Sequence, residues 1–479
     1  MSKILIKIQP IDLPSLFCYN KTMKKINTSP ISGAEELLPE QQATFDHLKT
    51  KIHQIYKQHG YQNIETPCIE RTEILLAKAG GDTEKQIYEV KKTGEKPSIK
   101  ASQALRFDHT VPLARYVVEH ENDLPFPFKV QQIGPNFRGE RAQKGRFREF
   151  YQCDVDIIGR QKLPLSYDVD IISTLLDTLK IFDLDTPILA RISNRKIFAG
   201  LLEALNLKDQ ASEIYNIIDH AEKVTPEQTK ENLEELKLTK EQIKTILNLI
   251  DLHGPRSEVV STLSNLEIIN DTFTAGVSEL DQVLGLLEAM GLQDQIIADL
   301  KIIRGLNYYT GTVFEFILPE YKNIGSIAGG GRYDNLTQQF SGQVFPGVGG
   351  SIGLTRLYYI LNEQKLLNIQ TANLVEYALI PISDDEVEYA FKLADELRAK
   401  NHSATIVLTD KKLGDKLSYA AKVADGGIVI GEQEVQTGKL EVKDFDTGKT
   451  RSFSFITEAA AETDPTDFWT DPSEPSTFL

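Results

Sequence analysis

The sequence predicts an α+β protein with a β-rich core, a helical block inserted into it and a smaller α/β unit behind it. Three observations carry that prediction. Apolar runs of strand length gather between Leu105 and Ile158 and return after residue 301. The stretch between them repeats its apolar residues at the 3.6-residue period of a helix, with few β-branched runs. After residue 372, strand and helix patterns alternate.

The first element is a helix. In "EELLPEQQATFDHLKTKIHQIYKQHG", Leu48, Ile52, Ile55 and Tyr56 recur at helical spacing, and Gly60 stands where a C-terminal glycine belongs. A strand carrying Thr66-Pro67 follows, and "FKVQQIG" and "FREFYQCDVDII" alternate or run apolar at strand length. "GLLEALNLKDQASEIYNIIDHAEK" and "KENLEELKLTKEQIKTILNLIDL" are helical. Strand signals return in "LNYYTGTVFEFIL" and "GSIAGGGRYDNL", while "GVGGSIGLTRLYYILNEQ" passes from strand to helix. "YALIPI", a helix from Asp384 to Lys400, "ATIVLT", a helix around Leu413–Val423 and "GGIVIG" then form a βαβαβ unit, hence a small parallel or mixed sheet. From Thr457 the chain carries six acids, three prolines and no Lys or Arg, the composition of a disordered, solvating tail. The expected division is an extension at 1–28, a core at 29–160 and 301–368, a mainly helical insertion at 161–300, an α/β domain at 372–456 and the acidic tail at 457–479.

Composition excludes some functions. A net charge of −16 argues against non-specific binding along a duplex, which depends on clustered cations, but leaves room for a local basic patch. Cys18, Cys68 and Cys153 are far apart, with no disulfide framework and no zinc spacing, which suits a reducing cytoplasm. No apolar run approaches the ~20 residues that span a bilayer, so no membrane partner is expected. The first 22 residues are mildly basic but lack arginine, and read as a frayed extension rather than a signal.

Chemistry concentrates in "FRGERAQKGRFREFYQCDVD". Arg138, Arg141, Lys144, Arg146 and Arg148 face one early carboxylate, Glu140, before the stretch turns to alternating aromatics, amide and acids. Two strands joined by such a loop can converge several guanidinium groups, whose planar forks match phosphate oxygens. Arg138 is expected on the first strand, two residues before Glu140, a period that puts both side chains on one face. Phe150, Gln152, Asp154 and Asp156 share a face of the returning strand, a flat ring for a base and polar groups for a small substrate. A solvated hairpin with surface ion pairs is the plain alternative. Gly329 to Gly331 interrupt an apolar strand pattern, which marks close approach to the backbone or tight sheet packing. Neither glycine-rich stretch has the spacing of a P-loop or a dinucleotide fingerprint. Arg304, between Ile303 and Gly305, needs a partner if buried.

These residues together resemble the histidyl-tRNA synthetase family of class II aminoacyl-tRNA synthetases, from about Ser29 to Phe455. "FRGERAQKGRFREFYQCDVD" is similar to motif 2, "GYQNIETPCIE" to motif 1 with Pro67 at a dimer interface, and "GVGGSIGLTRL" to motif 3. "RGLNYYTGTVFEF" and "GSIAGGGRYDNL" resemble the two segments peculiar to the histidine enzyme, and "DKKLGDKLSYAAKVADGGIVIGEQE" its anticodon-binding domain. The resemblance implies an antiparallel catalytic sheet, a homodimer, and L-histidine, ATP with Mg²⁺, and histidine tRNA as ligands. It places Asp108, His109, Thr110, Arg138, Gln152, Asp156, Arg304, Tyr308 and Tyr309 around histidine. Arg138, Glu140, Arg146, Phe150 and Arg356 fall around ATP, and Gln143 at the tRNA acceptor end, with Arg138 and Arg304 catalytic and no protein-held metal. Three positions depart from the family pattern: Asn307 for Asp, Thr355 for the acid before the motif 3 arginine, and His109 for Leu. The rival reading is a non-catalytic, synthetase-like regulatory subunit that senses histidine.

The long first helix gives an independent expectation. Its stripe of Leu48, Ile52 and Ile55 is expected to need a second copy to cover it.

Overall fold

The computed structural model describes residues 26–77, 84–94, 101–141, 145–221, 224–302, 309–321, 324–367 and 375–454. The 1–25 portion of the extension, the tail, Gln143, Arg304, Asn307 and Tyr308 lie outside these residues.

Helix α1 (Pro39–Gln58) has proline at its first position, where the missing N–H costs nothing. It ends as the sequence predicts, with Gly60 at φ +84° allowing Tyr61 N–H to return to the Tyr56 carbonyl at 3.0 Å. β1 (Gln62–Asn63) follows, then a three-stranded sheet of β2 (Ile69–Arg71), β3 (Glu89–Val90) and β4 (Gln103–Leu105), with α2 (Thr72–Leu76) and α3 (Thr110–Glu119) packed together beside it. β5 (Phe128–Phe137) and β6 (Glu149–Ile158) make the long hairpin. Next come α4 (Ser166–Leu179) and β7 (Leu189–Asn194), then helices α5 (Arg195–Ala204), α6 (Ala211–His220), α7 (Pro226–Glu235) and α8 (Lys240–Ile250). β8 (His253–Gly254), α9 (Arg256–Ser264), α10 (Asp271–Ala289) and β9 (Ile296–Asp299) lead back to β10 (Thr312–Ile317), β11 (Ser326–Tyr333), β12 (Gly347–Ile352) and α11 (Leu354–Glu363).

Nine strands join in one sheet, ordered β1-β5-β6-β12-β11-β10-β7-β9-β8. The run from β5 to β7 is antiparallel throughout, while β1 and β9 add in parallel. This antiparallel centre is the architecture the resemblance implied.

The insertion is smaller than expected. Of the 161–300 stretch, α4 packs on β12, β6 and β11, and β7 and β9 extend the central sheet, leaving α5 to α10 as the helical block. The helical period of α4 is real, but periodicity cannot tell a helix that lies on a sheet from one in a separate domain. The six-residue strand β7 is too short to stand out between helices.

The apolar stripe of α1 is also covered from within the chain. Leu48, Ile52 and Tyr56 are buried in one core with Cys153, Val155 and Ile157 of β6 and Ile171 and Leu175 of α4. Ile55 is partly buried. The helix therefore gives no argument for a second copy, because its inward face already rests on the sheet.

The C-terminal unit comprises β13 (Val375–Pro381), α12 (Val387–Ala399), β14 (Ala404–Ile406), α13 (Leu413–Ala420), β15 (Ala424–Ile430), α14 (Glu432–Thr437), β16 (Lys439–Asp444) and β17 (Thr450–Ser454). Its sheet order is β14-β13-β15-β16-β17, parallel across the first three and antiparallel at the end, a mixed sheet.

Candidate active site

The alternation of β6 builds the site. Cys153, Val155 and Ile157 point into the core under α1, so Phe150, Gln152, Asp154 and Asp156 point to the other face. That face opens on a cavity of about 520 Å³. Its wall holds Asp108, Thr110, Arg138, Glu140, Arg146, Phe150, Gln152, Asp156, Tyr309 and Arg356, ten of the residues the sequence proposed. Asp154, Tyr333 and Ser351 are among the other residues that line it.

Glycines make the floor. β11 and β12 pair through Gly329, Gly330 and Gly331 against Ser351, Gly350 and Gly349. A methyl group on Gly330 would run into the Gly349 carbonyl, and one on Gly349 into the Asp156 carboxylate. The glycine run is therefore required by close approach on both sides, as its place in a strand pattern implied.

Acids gather at the inner end of the cavity. Asp108 accepts from Val111 N–H at 3.0 Å through Oδ1, while its buried Oδ2 has no hydrogen-bond partner within the described residues. Burial raises its pKa to about 6, against the lowering effects of the Val111 N–H and Arg138. Asp156 is 3% exposed and accepts from Tyr333 Oη at 2.6 Å. Burial first, and then the neighbouring Asp154 and Asp108, raise its pKa to about 8 despite the tyrosine. Both carboxyls are thus costly to ionise in the empty pocket, and an entering cation would reverse that cost.

Cations gather at the loop end. Arg138 donates from Nε to the Phe107 carbonyl at 3.1 Å, and its guanidinium carbon lies 5.0 Å above the Phe150 ring. Arg146 reaches Glu140 at 3.4 Å. The shared-face reading of Arg138 and Glu140 fails, because β5 ends at Phe137. The loop brings them together instead, pinned by Gly139 N–H to the Gln86 carbonyl at 2.7 Å and Arg138 N–H to the Arg148 carbonyl at 2.9 Å. Arg356 sits in the first turn of α11 and donates to the Ile324 carbonyl at 2.8 Å. Thr355 beside it accepts Tyr151 N–H at 2.8 Å, so a hydroxyl oxygen ties motif 3 to β6 at the place of the usual acid.

His109 stands elsewhere than expected. It is 1% exposed and outside the cavity wall, behind Asp154. Asp154, Ser351 and Tyr333 are the residues that the resemblance did not carry over. The two-residue spacing from Gln152 through Asp154 to Asp156 already placed Asp154 on this face, whereas nothing in the sequence pairs Ser351 or Tyr333 with an acid on another strand.

Comparison with known proteins gives the same answer. The histidyl-tRNA synthetase family model matches residues 33–357, and an anticodon-binding domain model matches residues 376–460. The histidine--tRNA ligase of Clostridium tetani is 43% identical over 90% of this chain and 98% of its own. That of Clostridium acetobutylicum is 42% identical over 90% and 98%. The crystal structure of histidyl-tRNA synthetase from Nostoc sp. PCC 7120 superposes with a TM-score of 0.79 at 34% identity, covering 90% of this chain and 97% of that one. A Bacillus halodurans C structure titled as an ATP phosphoribosyltransferase regulatory subunit/histidyl-tRNA synthetase shares the fold at a TM-score of 0.70 and 22% identity, covering 85% of this chain and 100% of that one. With a glycine-floored cavity between motif 2 and motif 3 on an antiparallel sheet, and relatives matched over nearly their whole length, this chain belongs to the histidyl-tRNA synthetase family.

Proposed function

We propose that the chain ligates L-histidine to histidine tRNA through a histidyl-adenylate formed from ATP. The observation that carries this reading is the division of charge along one cavity, with Asp108 and Asp156 at the inner end of β6 and Arg138, Arg146 and Arg356 around its loop end. Successive outward residues of a strand stand about 7 Å apart, so Phe150, Gln152, Asp154 and Asp156 span the length of an aminoacyl-nucleotide.

In this reading the unpartnered Oδ2 of Asp108 takes the α-ammonium group, and Gln152 and Asp156 meet the imidazole. The histidine carboxylate attacks the α-phosphorus of ATP, the bond to the bridging oxygen breaks, and pyrophosphate leaves. The 3′-terminal ribose hydroxyl of the tRNA then attacks the adenylate carbonyl and AMP departs. No protein nucleophile is needed, so positioning and charge stabilisation supply the rate. In this reading Arg138, on the cavity wall, holds the α-phosphate, and by resemblance Arg304 joins it. Among the described residues no group of three His, Cys, Asp or Glu side chains gathers as a metal site, and Mg²⁺ enters with the ATP phosphates as part of the substrate.

A homodimer is proposed on the family's pattern, supported by the exposed Pro67 and the 48% exposed Ile69 on the motif 1 segment. Cytoplasmic residence is proposed from the free Cys68 and Cys153, and no described helix is long and apolar enough to cross a membrane. The test is histidine-dependent exchange of pyrophosphate into ATP, followed by charging of histidine tRNA. A protein that binds histidine but gives no exchange is the regulatory subunit instead.

A further inference from the structure

Asp108, Asp154 and Asp156 line one cavity, and Asp154 is the one that both a hydroxyl and a histidine ring approach. Its Oδ1 accepts from the Ser351 hydroxyl. Ser351 Oγ in turn accepts from Gln152 Nε2 at 2.7 Å, and Gln152 Oε1 accepts from Asn136 Nδ2 at 2.9 Å. On the far side, His109 Nδ1 lies 3.2 Å from Asp154 Oδ2. The pair does not meet hydrogen-bond geometry, and neither ring nitrogen of His109 has a hydrogen-bond partner among the described residues. Over Gly134 the nearest atom to an added methyl group would be Arg106 Nη2 at 2.8 Å, with His109 Nε2 beside it at 3.5 Å.

On the reading that this cavity activates histidine, we infer that His109 is a positioning residue. It anchors Asp154, and through Ser351 it fixes the orientation of the Gln152 amide that meets the substrate imidazole. The line His109–Asp154–Ser351–Gln152–Asn136 runs from the start of α3 across β6 and β12 to β5, so its five members are held by four elements, with Asp154 and Gln152 both on β6. An amide can be turned end for end at little steric cost. Here Nε2 is committed to Ser351 and Oε1 to Asn136, which allows one orientation. Ser351 keeps its direction only while Asp154 accepts its proton, and Asp154 is buried beside two other acids, where the close ring nitrogen of His109 limits its movement. A leucine at this position would offer Asp154 no polar atom.

The experiment compares His109→Leu, His109→Asn and Asp154→Asn in pyrophosphate exchange, with KM for histidine, KM for ATP, kcat and Tm measured for each. His109→Leu is expected to raise the histidine KM by about 10-fold or more while the ATP KM stays within about 2-fold. His109→Asn places a donor near the position of Nδ1 and should recover most of that loss. Asp154→Asn should raise the histidine KM in the same sense. Three results would overturn the inference: an unchanged histidine KM in His109→Leu, equal losses in the Leu and Asn variants, or a uniform fall of all constants together with Tm. If His109→Leu does not fold, the Asp154→Asn and His109→Asn pair decides, since only the first should lose histidine affinity. A wild-type protein without histidine-dependent exchange fails the functional reading instead, which separates the two failures.

Discussion

Asp156→Asn should make the empty protein more stable and nearly inactive. A carboxyl whose folded pKa is raised keeps its proton in the folded state after the unfolded chain has released it. For Asp156 that window runs from about 4, the ordinary value, to about 8. The folded state binds the extra proton there, so stability is complete below the window and is lost as pH rises through it. Each pH unit within the window costs about 1.4 kcal/mol, a total of roughly 4 kcal/mol at pH 7. Asparagine is nearly isosteric, never ionises in the unfolded chain, and can still accept from Tyr333 Oη. Allowing about 1 kcal/mol for an imperfectly paired amide N–H leaves a net gain of roughly 3 kcal/mol. The assay is thermal unfolding of both proteins between pH 5 and 8.5. The variant should gain several degrees at pH 7.5, and the gain should shrink steadily toward pH 5. Histidine-dependent exchange should fall by about 100-fold or more, because a carboxylate placed to oppose the substrate cation has gone. A variant no more stable than wild type at pH 7.5, or one whose gain is the same at pH 5, would refute the reasoning.

Arg332→Ala should be strongly destabilising, because Arg332 meets Asp168 at 2.7 Å and donates to the Leu163 and Pro164 carbonyls at 3.1 Å, leaving a fully buried acid behind. Chemical denaturation should show a loss of about 3–5 kcal/mol, with Asp168→Asn in the same background recovering part of it. Gly349→Ala should displace the Asp156 carboxylate and raise the histidine KM by about 10-fold or more with a smaller change for ATP, measured by exchange kinetics. Deletion of the chain after Thr371 should spare histidine-dependent exchange and cripple tRNA charging. The C-terminal unit has cores of its own around Leu379, Leu393 and Ile428 and around Ala378 and Ile380.

Local order was legible in the sequence wherever period and backbone chemistry coincide. The α1 stripe with its Gly60 stop, the alternation of Phe150 to Asp156 against Cys153 to Ile157, and the βαβαβ pattern after residue 372 all depend on residues within a few positions of one another. The motifs around Arg138, Arg356 and the glycine run were legible for the same reason, and they named most of the cavity wall. What the tertiary structure alone decided is which face meets what. It packed α4 on the central sheet and placed β7 and β9 within that sheet instead of in a helical domain, and covered α1 from within the chain. It also detached Arg138 and Glu140 from the strand that their spacing implied. Above all it set His109, Asp154, Ser351 and Gln152 in one line across two strands and a helix start. Residues 109, 154 and 351 are far apart in the chain, and hydrogen bonds and burial act through space, so their partnership and the raised pKa values of Asp108 and Asp156 exist only once the sheet has closed.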